Sequence, residues 1–139
     1  MPVPAPAAPS SWALAYVGLP YVMGVGECAH RAALVWRQRF GLDIEVGAAF
    51  GDREAAQRLI EAELAKPDWR PVPTPREGDA VVMTKAQRLA HVGLWVAPAH
   101  VLHCTRAEGM TLTPVEDLPA QGFAVHGYYR RREEGARAA

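Results

Sequence analysis

Gly24-Val25-Gly26-Glu27-Cys28 leads directly into the clearest helical pattern of the chain. Apolar residues recur at helical spacing from Cys28 to Phe40, and Gly41 follows where a left-handed C-terminal residue is expected. The pattern therefore predicts a helix that begins at Cys28. Because the first N–H groups of a helix carry partial positive charge, a thiol at this point is expected to lose its proton more easily. The thiolate is the reactive form of cysteine, so Cys28 is a candidate nucleophile.

The composition of the 139-residue chain favours one globular domain, since half of its residues are hydrophobic. Its 15 basic residues balance its 15 acidic ones, so there is no basic excess to bind phosphates and nucleic acid is not expected as a partner. No apolar run approaches the roughly 20 residues of a membrane span, and no secretory signal is recognisable. We expect a protein that is made in the cytoplasm without a signal peptide.

The two ends of the chain differ in composition from its centre. Residues 1–10 alternate proline with small apolar residues, which predicts a disordered Pro/Ala-rich arm. Residues 11–130 contain the periodic apolar patterns and predict a single domain. Residues 131–139 are charged or small, which predicts a flexible tail.

Helical signals precede strand signals along the chain. Ser10 or Ser11 can cap a short helix that ends near Val17, and Asp52 can cap a helix over about 53–65. Residues 67–75 hold four prolines, which predicts a surface loop. Strands are predicted at 79–83, 91–96, 101–104, 109–113 and 123–129, with one helical turn at 115–118. This order predicts an α+β fold in which N-terminal helices pack on one face of a mostly antiparallel sheet of about five strands.

A nucleophilic cysteine needs a base, and two histidines lie in a favourable place. His91 and His103 flank the predicted hairpin, where His91 can act as the base and His103 can orient it. Side chains alternate along a strand, so the loop length decides whether the two rings share a face. An odd loop such as Ala97–Ala99 puts both rings on one face, whereas an even loop separates them. The catalytic interpretation therefore predicts an odd loop or a bulge.

Three motifs resemble the NlpC-family cysteine peptidases, papain-like enzymes that cut peptide bonds in bacterial cell-wall stem peptides. The first consists of Pro20, Tyr21, Gly24, Gly26, Glu27 and Cys28 ahead of a helix. The second is His91-Val92-Gly93, and the third is the histidine in Val101-Leu102-His103-Cys104. The resemblance extends from about Leu14 to Arg130 and implies a papain-like form of the α+β fold.

The resemblance also implies roles for individual residues. Cys28 would be the nucleophile, His91 the base and later the acid, and His103 the residue that orients His91. The Cys28 N–H and the Tyr21 hydroxyl would stabilise the oxyanion. The reaction would be amide hydrolysis through a thioester, with no metal and no cofactor. The bond would be the one between D-glutamate and a diamino acid in peptidoglycan.

The absence of a leader, the compact length and the terminal run at 127–131 resemble the branch found in phage tails and gene transfer agents. This implies peptidoglycan stem peptides as substrate and other tail or baseplate proteins as partners. It also implies that the particle carries the protein to the cell wall or periplasm.

Several features depart from the family pattern. Glu27 replaces an aspartate, Met23 replaces a frequent aromatic residue, and the segment before Cys28 is short. Ala29-His30 replaces a small Ser-Gly pair, and His30 stands where it could crowd the substrate cleft.

Three other interpretations stay open on the sequence alone. Cys28 can be a buried structural cysteine, because free cysteines are often buried. Cys28, His91 and His103 can instead be zinc ligands with an open fourth position, although closely spaced ligand pairs are absent. The domain can also be a non-catalytic structural or adaptor protein of a tail assembly.

Overall fold

A six-stranded antiparallel sheet forms the centre of the molecule, in a computed structural model that describes residues 8–132. Residues 1–7 of the predicted arm and 133–139 of the predicted tail lie outside the described residues. The strands are β1 (Trp69–Val72), β2 (Ala80–Lys85), β3 (Arg88–Val96), β4 (His100–Thr105), β5 (Gly109–Pro114) and β6 (Ala124–Arg131). Their spatial order is β1-β6-β2-β3-β4-β5, and neighbouring strands are antiparallel. The sheet is therefore open and antiparallel.

The helices precede most of the sheet, which confirms the α+β prediction. They are α1 (Cys28–Phe40) and α2 (Arg53–Leu64), with 3-10 helices at Ser11–Tyr16 and Val115–Gln121. The predicted bounds of α1 are confirmed, and Gly41 ends it in the left-handed conformation with φ 69°. Asp52 caps α2 as predicted, because its carboxylate accepts the Ala55 N–H at 3.0 Å. Within residues 8–132, none of the helices combines the length and apolar character needed to cross a bilayer.

One face of the sheet is covered by α1. Val35 and Trp36 of this helix share a core cluster with Leu94 of β3 and Leu102 of β4. Full burial of an apolar side chain stabilises by about 1.5–3 kcal/mol, so this contact holds the helix firmly on the sheet. Since α1 is held along its length, its first residue, Cys28, has a defined position above the strands.

The opposite face of the sheet has its own core cluster. Val101 of β4 packs there with Leu118 of the second 3-10 helix and with Phe123, which precedes β6. Alternation along the strands turns His91 and His103 to this same face. The sheet is therefore covered on both faces, and the two histidines lie in the smaller of its two cores.

The predicted surface loop at 67–75 is wrong, because four of its residues form β1. This strand pairs with β6 at the edge of the sheet, where Pro71 lies opposite Tyr129. Proline has no backbone N–H to donate, and an edge strand tolerates this because one of its two sides has no neighbouring strand. Trp69 supplies the apolar contact, since its ring packs against Trp36 with centroids 5.3 Å apart. The sheet therefore has six strands, where the sequence predicts about five.

The hairpin of β3 and β4 has the predicted odd loop. Val96 pairs with His100, so residues 97–99 form a three-residue connection. The register also puts His103 over Gly93, where a β-carbon would lie 2.8 Å from the His103 Cβ. Glycine is required there because any side chain would displace the histidine. The prediction that His91 and His103 share one face is confirmed.

The last strand is held on the sheet by a partly buried ion pair. Asp79 is 5% exposed, and its Oδ2 accepts the Arg130 Nη2–H at 2.7 Å. The same oxygen accepts the Arg76 N–H at 2.7 Å, and Arg130 Nε donates to Oδ1 at 3.0 Å. β6 continues to Arg131, one residue into the predicted tail, and the Arg132 N–H reaches the Asp68 carbonyl at 2.8 Å.

Asp79→Ala is expected to lower the free energy of unfolding by about 3 kcal/mol, because it leaves a half-buried guanidinium and a backbone N–H without their acceptor. Urea denaturation measures the loss. Lys66→Ala is the control, since it removes an exposed ion pair with Glu63 and should cost about 0.5 kcal/mol or less. Equal losses in the two variants would show that the Asp79 carboxylate does not fasten β6.

Candidate active site

One cleft of about 230 Å³ brings together three of the four predicted site residues. It is lined by Tyr21, by Cys28 at the start of α1 and by His91 of β3. His103 is 1% exposed and lies behind His91, with its Nδ1 2.8 Å from the His91 Nε2. Within residues 8–132, no hydrogen bond joins the Cys28 thiol directly to His91, and the thiol is bonded by backbone groups instead.

The glycine-containing turn before Cys28 is closed by its own backbone. Val22 and Gly26 exchange two hydrogen bonds, of 3.0 Å and 2.7 Å, and Gly24 between them has φ 87°. A β-carbon at Gly26 would lie 2.7 Å from the Arg31 guanidinium, which donates to the Pro20 carbonyl. The turn therefore needs glycine at Gly24 for its conformation, whereas a side chain at Gly26 would displace the end of the Arg31 side chain.

Glu27 ties this turn to the loop before α2. Its buried carboxylate accepts the Gly24 N–H at 3.1 Å, the Ala49 N–H at 2.7 Å and the Tyr21 hydroxyl at 3.5 Å. Burial alone would raise the pKa of this carboxyl, but hydrogen bonds from the Ala49, Gly24 and Phe50 backbone outweigh burial and lower it. Glu27 is therefore an ionised structural residue that shapes one wall of the cleft.

His30 does not crowd the cleft as its position in the sequence suggests. Its Nδ1 accepts the Glu27 N–H at 3.1 Å, so the ring folds back over the start of α1. It is not among the residues that line the cleft. Together, Glu27 and His30 satisfy backbone donors at the point where the helix begins.

Burial raises the pKa of the Cys28 thiol to about 11. Hydrogen bonds from the Val92 and Ala29 backbone act in the opposite direction, and the neighbouring Cys104 thiol adds to the increase. The sequence predicts a lowered pKa from the helix start, and that prediction is wrong in direction. The helical N–H donor is present at Ala29, but the loss of hydration outweighs it.

His91 and His103 form a buried, uncharged pair. Burial lowers the pKa of His91 well below its ordinary value, and the charges of His103 and Lys85 act in the same direction. Burial also lowers the pKa of His103 to about 4. Phe123 stacks on the His91 ring with centroids 4.4 Å apart and keeps water from that side. Near neutral pH the cleft therefore holds a neutral thiol and a neutral imidazole.

The hydrogen bonds of His103 continue beyond the predicted residues. Its Nε2 lies 3.1 Å from the Thr113 Oγ1, and the Thr113 hydroxyl lies 3.3 Å from the Gln121 Oε1. Sequence reasoning missed Thr113 and Gln121. Thr111 and Thr113 are two residues apart on the strand beside His103, which is a weak sequence signal for a polar partner of that histidine. Nothing in the sequence marks Gln121.

The described part of the chain does not offer the set of ligands that a zinc site would need. No group of three or more His, Cys, Asp or Glu side chains between residues 8 and 132 is arranged to hold a metal ion. The His91 Nε2 and the His103 Nδ1 are also hydrogen-bonded to each other, so neither nitrogen has a free lone pair for a metal ion.

The sequence comparisons find no relative of the chain. No family model matches the chain, and no curated protein matches it.

The alkylation rate of Cys28 by iodoacetamide is expected to keep rising above about pH 9, because the thiol ionises only near its raised pKa. The measurement uses Cys104→Ala, which leaves Cys28 as the single thiol. Cys28→Ala is the control, since the buried Cys104 should react more slowly throughout. A rate that levels off below about pH 8 would contradict the raised pKa.

The free energy of unfolding is expected to fall between about pH 6.5 and pH 4, because unfolded His103 takes up a proton at 6.5 and the folded residue only at about 4. The unfolded state binds more protons across this window, so stability rises with pH. The limit is about 3 kcal/mol for His103. Urea denaturation at several pH values should show a smaller decline for His103→Gln than for the exposed control His126→Gln. Equal declines would refute a buried neutral His103.

Proposed function

We propose that the chain is a papain-like cysteine peptidase of the NlpC type that cleaves amide bonds in peptidoglycan stem peptides. One observation carries the proposal: a cysteine at a helix start shares a cleft with His91, whose Nε2 is hydrogen-bonded to a second, buried histidine. A helix that presents cysteine, packed on an antiparallel sheet that presents histidine, is also the arrangement expected of a papain-like fold. The pattern matches the roles of nucleophile, base and orienting group.

The neutral charge state favours a concerted first step. The His91 Nε2 is engaged by His103, so only the His91 Nδ1 remains to receive the thiol proton. As the Cys28 sulfur attacks the amide carbonyl carbon, its proton passes to Nδ1. His91 then protonates the leaving amine, and the carbonyl re-forms as a thioester. Water, deprotonated by His91, hydrolyses the thioester and returns the thiol.

The oxyanion of each tetrahedral intermediate has two candidate donors. Cys28 is the first residue of α1, so its N–H is one of those without a helical partner. The Tyr21 hydroxyl lies in the same cleft and donates to Glu27 at 3.5 Å in the resting state. This long hydrogen bond is weak, and turning the hydroxyl toward an oxyanion would exchange it for a charge-assisted one.

The charges around the cleft support an anionic substrate. Its lining includes Arg53, Lys85 and Arg106, all exposed, and none of them forms an ion pair within residues 8–132. Of the acidic lining residues, Glu27 is buried and Asp52 caps α2. A stem peptide linked through the side chain of D-glutamate keeps a free carboxylate beside the scissile bond. The cationic rim suits such a group.

A non-catalytic adaptor of a tail assembly is the second candidate function. It is favoured by a group of exposed apolar side chains next to the cleft, Met23, Val25 and Phe50, the last two being 72% and 67% exposed. Exposed apolar groups of this size are typical of protein contacts. In both cases we propose delivery by a phage-like tail particle, with other tail or baseplate proteins as partners and the cell wall as the place of action.

Digestion of purified peptidoglycan separates the two functions. The wild-type chain is expected to release fragments with new amino termini, whose masses identify the bond, and Cys28→Ala should release none above background. His103→Ala should lower the rate about 100-fold, because His91 loses its orienting partner. Cys104→Ala is the matched thiol control and should stay active. Background release by the wild type and Cys28→Ala alike would favour the adaptor.

A further inference from the structure

A chain of four hydrogen bonds runs from His91 to the protein surface. His91 Nε2 lies 2.8 Å from His103 Nδ1, and His103 Nε2 lies 3.1 Å from the Thr113 Oγ1. The Thr113 hydroxyl lies 3.3 Å from the Gln121 Oε1, and the Gln121 Nε2 lies 3.5 Å from the Glu108 Oε1. The inner members are closed to water, since His103 and Thr113 are 1% and 6% exposed.

The outer end determines the direction of the chain. The Glu108 carboxylate oxygen accepts a hydrogen bond from the NH₂ group of Gln121, which turns the amide oxygen toward Thr113. That amide oxygen can only accept, so the Thr113 hydroxyl donates its single proton to it. Thr111 lies 3.2 Å from the same hydroxyl and can donate to it without changing this direction.

The direction then determines the tautomer of both histidines. With its proton committed to Gln121, the Thr113 oxygen must accept from His103, so the His103 Nε2 carries the hydrogen and its Nδ1 is bare. The bare Nδ1 of His103 must accept from His91, so the His91 Nε2 carries the hydrogen. The His91 Nδ1 is then the one nitrogen left with a free lone pair.

We propose that Thr113 and Gln121 are positioning residues that hold His91 in the tautomer with an unprotonated Nδ1. They act through His103 and touch neither the thiol nor the substrate. In the other tautomer the His91 Nδ1 would carry a hydrogen and could not receive the thiol proton. The catalytic consequence rests on the proposed role of His91 as the base, whereas the tautomer assignment does not.

Nitrogen NMR of the full chain with isotope-labelled histidine tests the tautomer directly. The wild type should give His91 signals of an Nε2–H imidazole at neutral pH. Thr113→Val removes the acceptor and should shift His91 toward a mixture of tautomers, while Thr113→Ser keeps the hydroxyl and should resemble the wild type. Thr111→Val is the matched control, because the Thr111 hydroxyl only donates to Thr113 and does not set the direction of the hydrogen bonds. Gln121→Leu is a second variant, at a half-buried position, if Thr113→Val does not fold.

The kinetic readout separates positioning from simple destabilisation. On peptidoglycan, Thr113→Val should lower kcat about 10- to 100-fold with little change in KM, and Thr113→Ser should restore it. A wild-type His91 tautomer in both Thr113→Val and Gln121→Leu would overturn the inference. If Thr113→Val shifts the His91 tautomer but the wild-type protein shows no hydrolytic activity, the tautomer assignment is supported and the proposed peptidase function is overturned.

Discussion

The three-residue loop at 97–99 is the constraint on which the site depends. Because side chains alternate along a strand, a change of one residue in this loop would turn the side chains of β4 to the other face relative to β3. His103 would then point toward α1, and His91 would lose its buried partner. Gly93 belongs to the same constraint, since its missing side chain leaves the space that His103 fills.

The polar groups of the site are kept in two different charge states by their surroundings. Glu27 stays ionised because backbone N–H groups from two separate segments replace the hydration that it loses. Cys28, His91 and His103 have too few such partners, so burial keeps them neutral. The Glu27 carboxylate therefore holds the walls of the cleft in place. The neutral thiol and imidazoles remain the groups between which a proton can move.

Much of the fold could be predicted because its signals are local. The bounds of α1 and the Asp52 cap depend on residues within a turn or two, and both predictions are confirmed. The odd hairpin loop could be predicted as a condition of catalysis, from alternation alone. β1 could not, because Pro71 argues against a central strand and the sequence does not say that the strand lies at an edge. Gln121 was missed for a similar reason, since its partner Thr113 is near only through the packing of the second 3-10 helix.

The tertiary structure decided that the two histidines share one face of the hairpin, since the sequence left the loop length open. The sequence by itself determined where the first helix begins and that a cysteine opens it. Those features depend on the spacing of residues along the chain, which the sequence gives directly. Only the tertiary structure decided the charge state of Cys28, because burial by distant segments outweighs the local helix start. It also decided which nitrogen of His91 is free, since that follows from a hydrogen-bond chain that ends at Glu108 on the surface. Hydration and hydrogen-bond direction depend on every neighbour at once, and the neighbours are known only when the chain is folded.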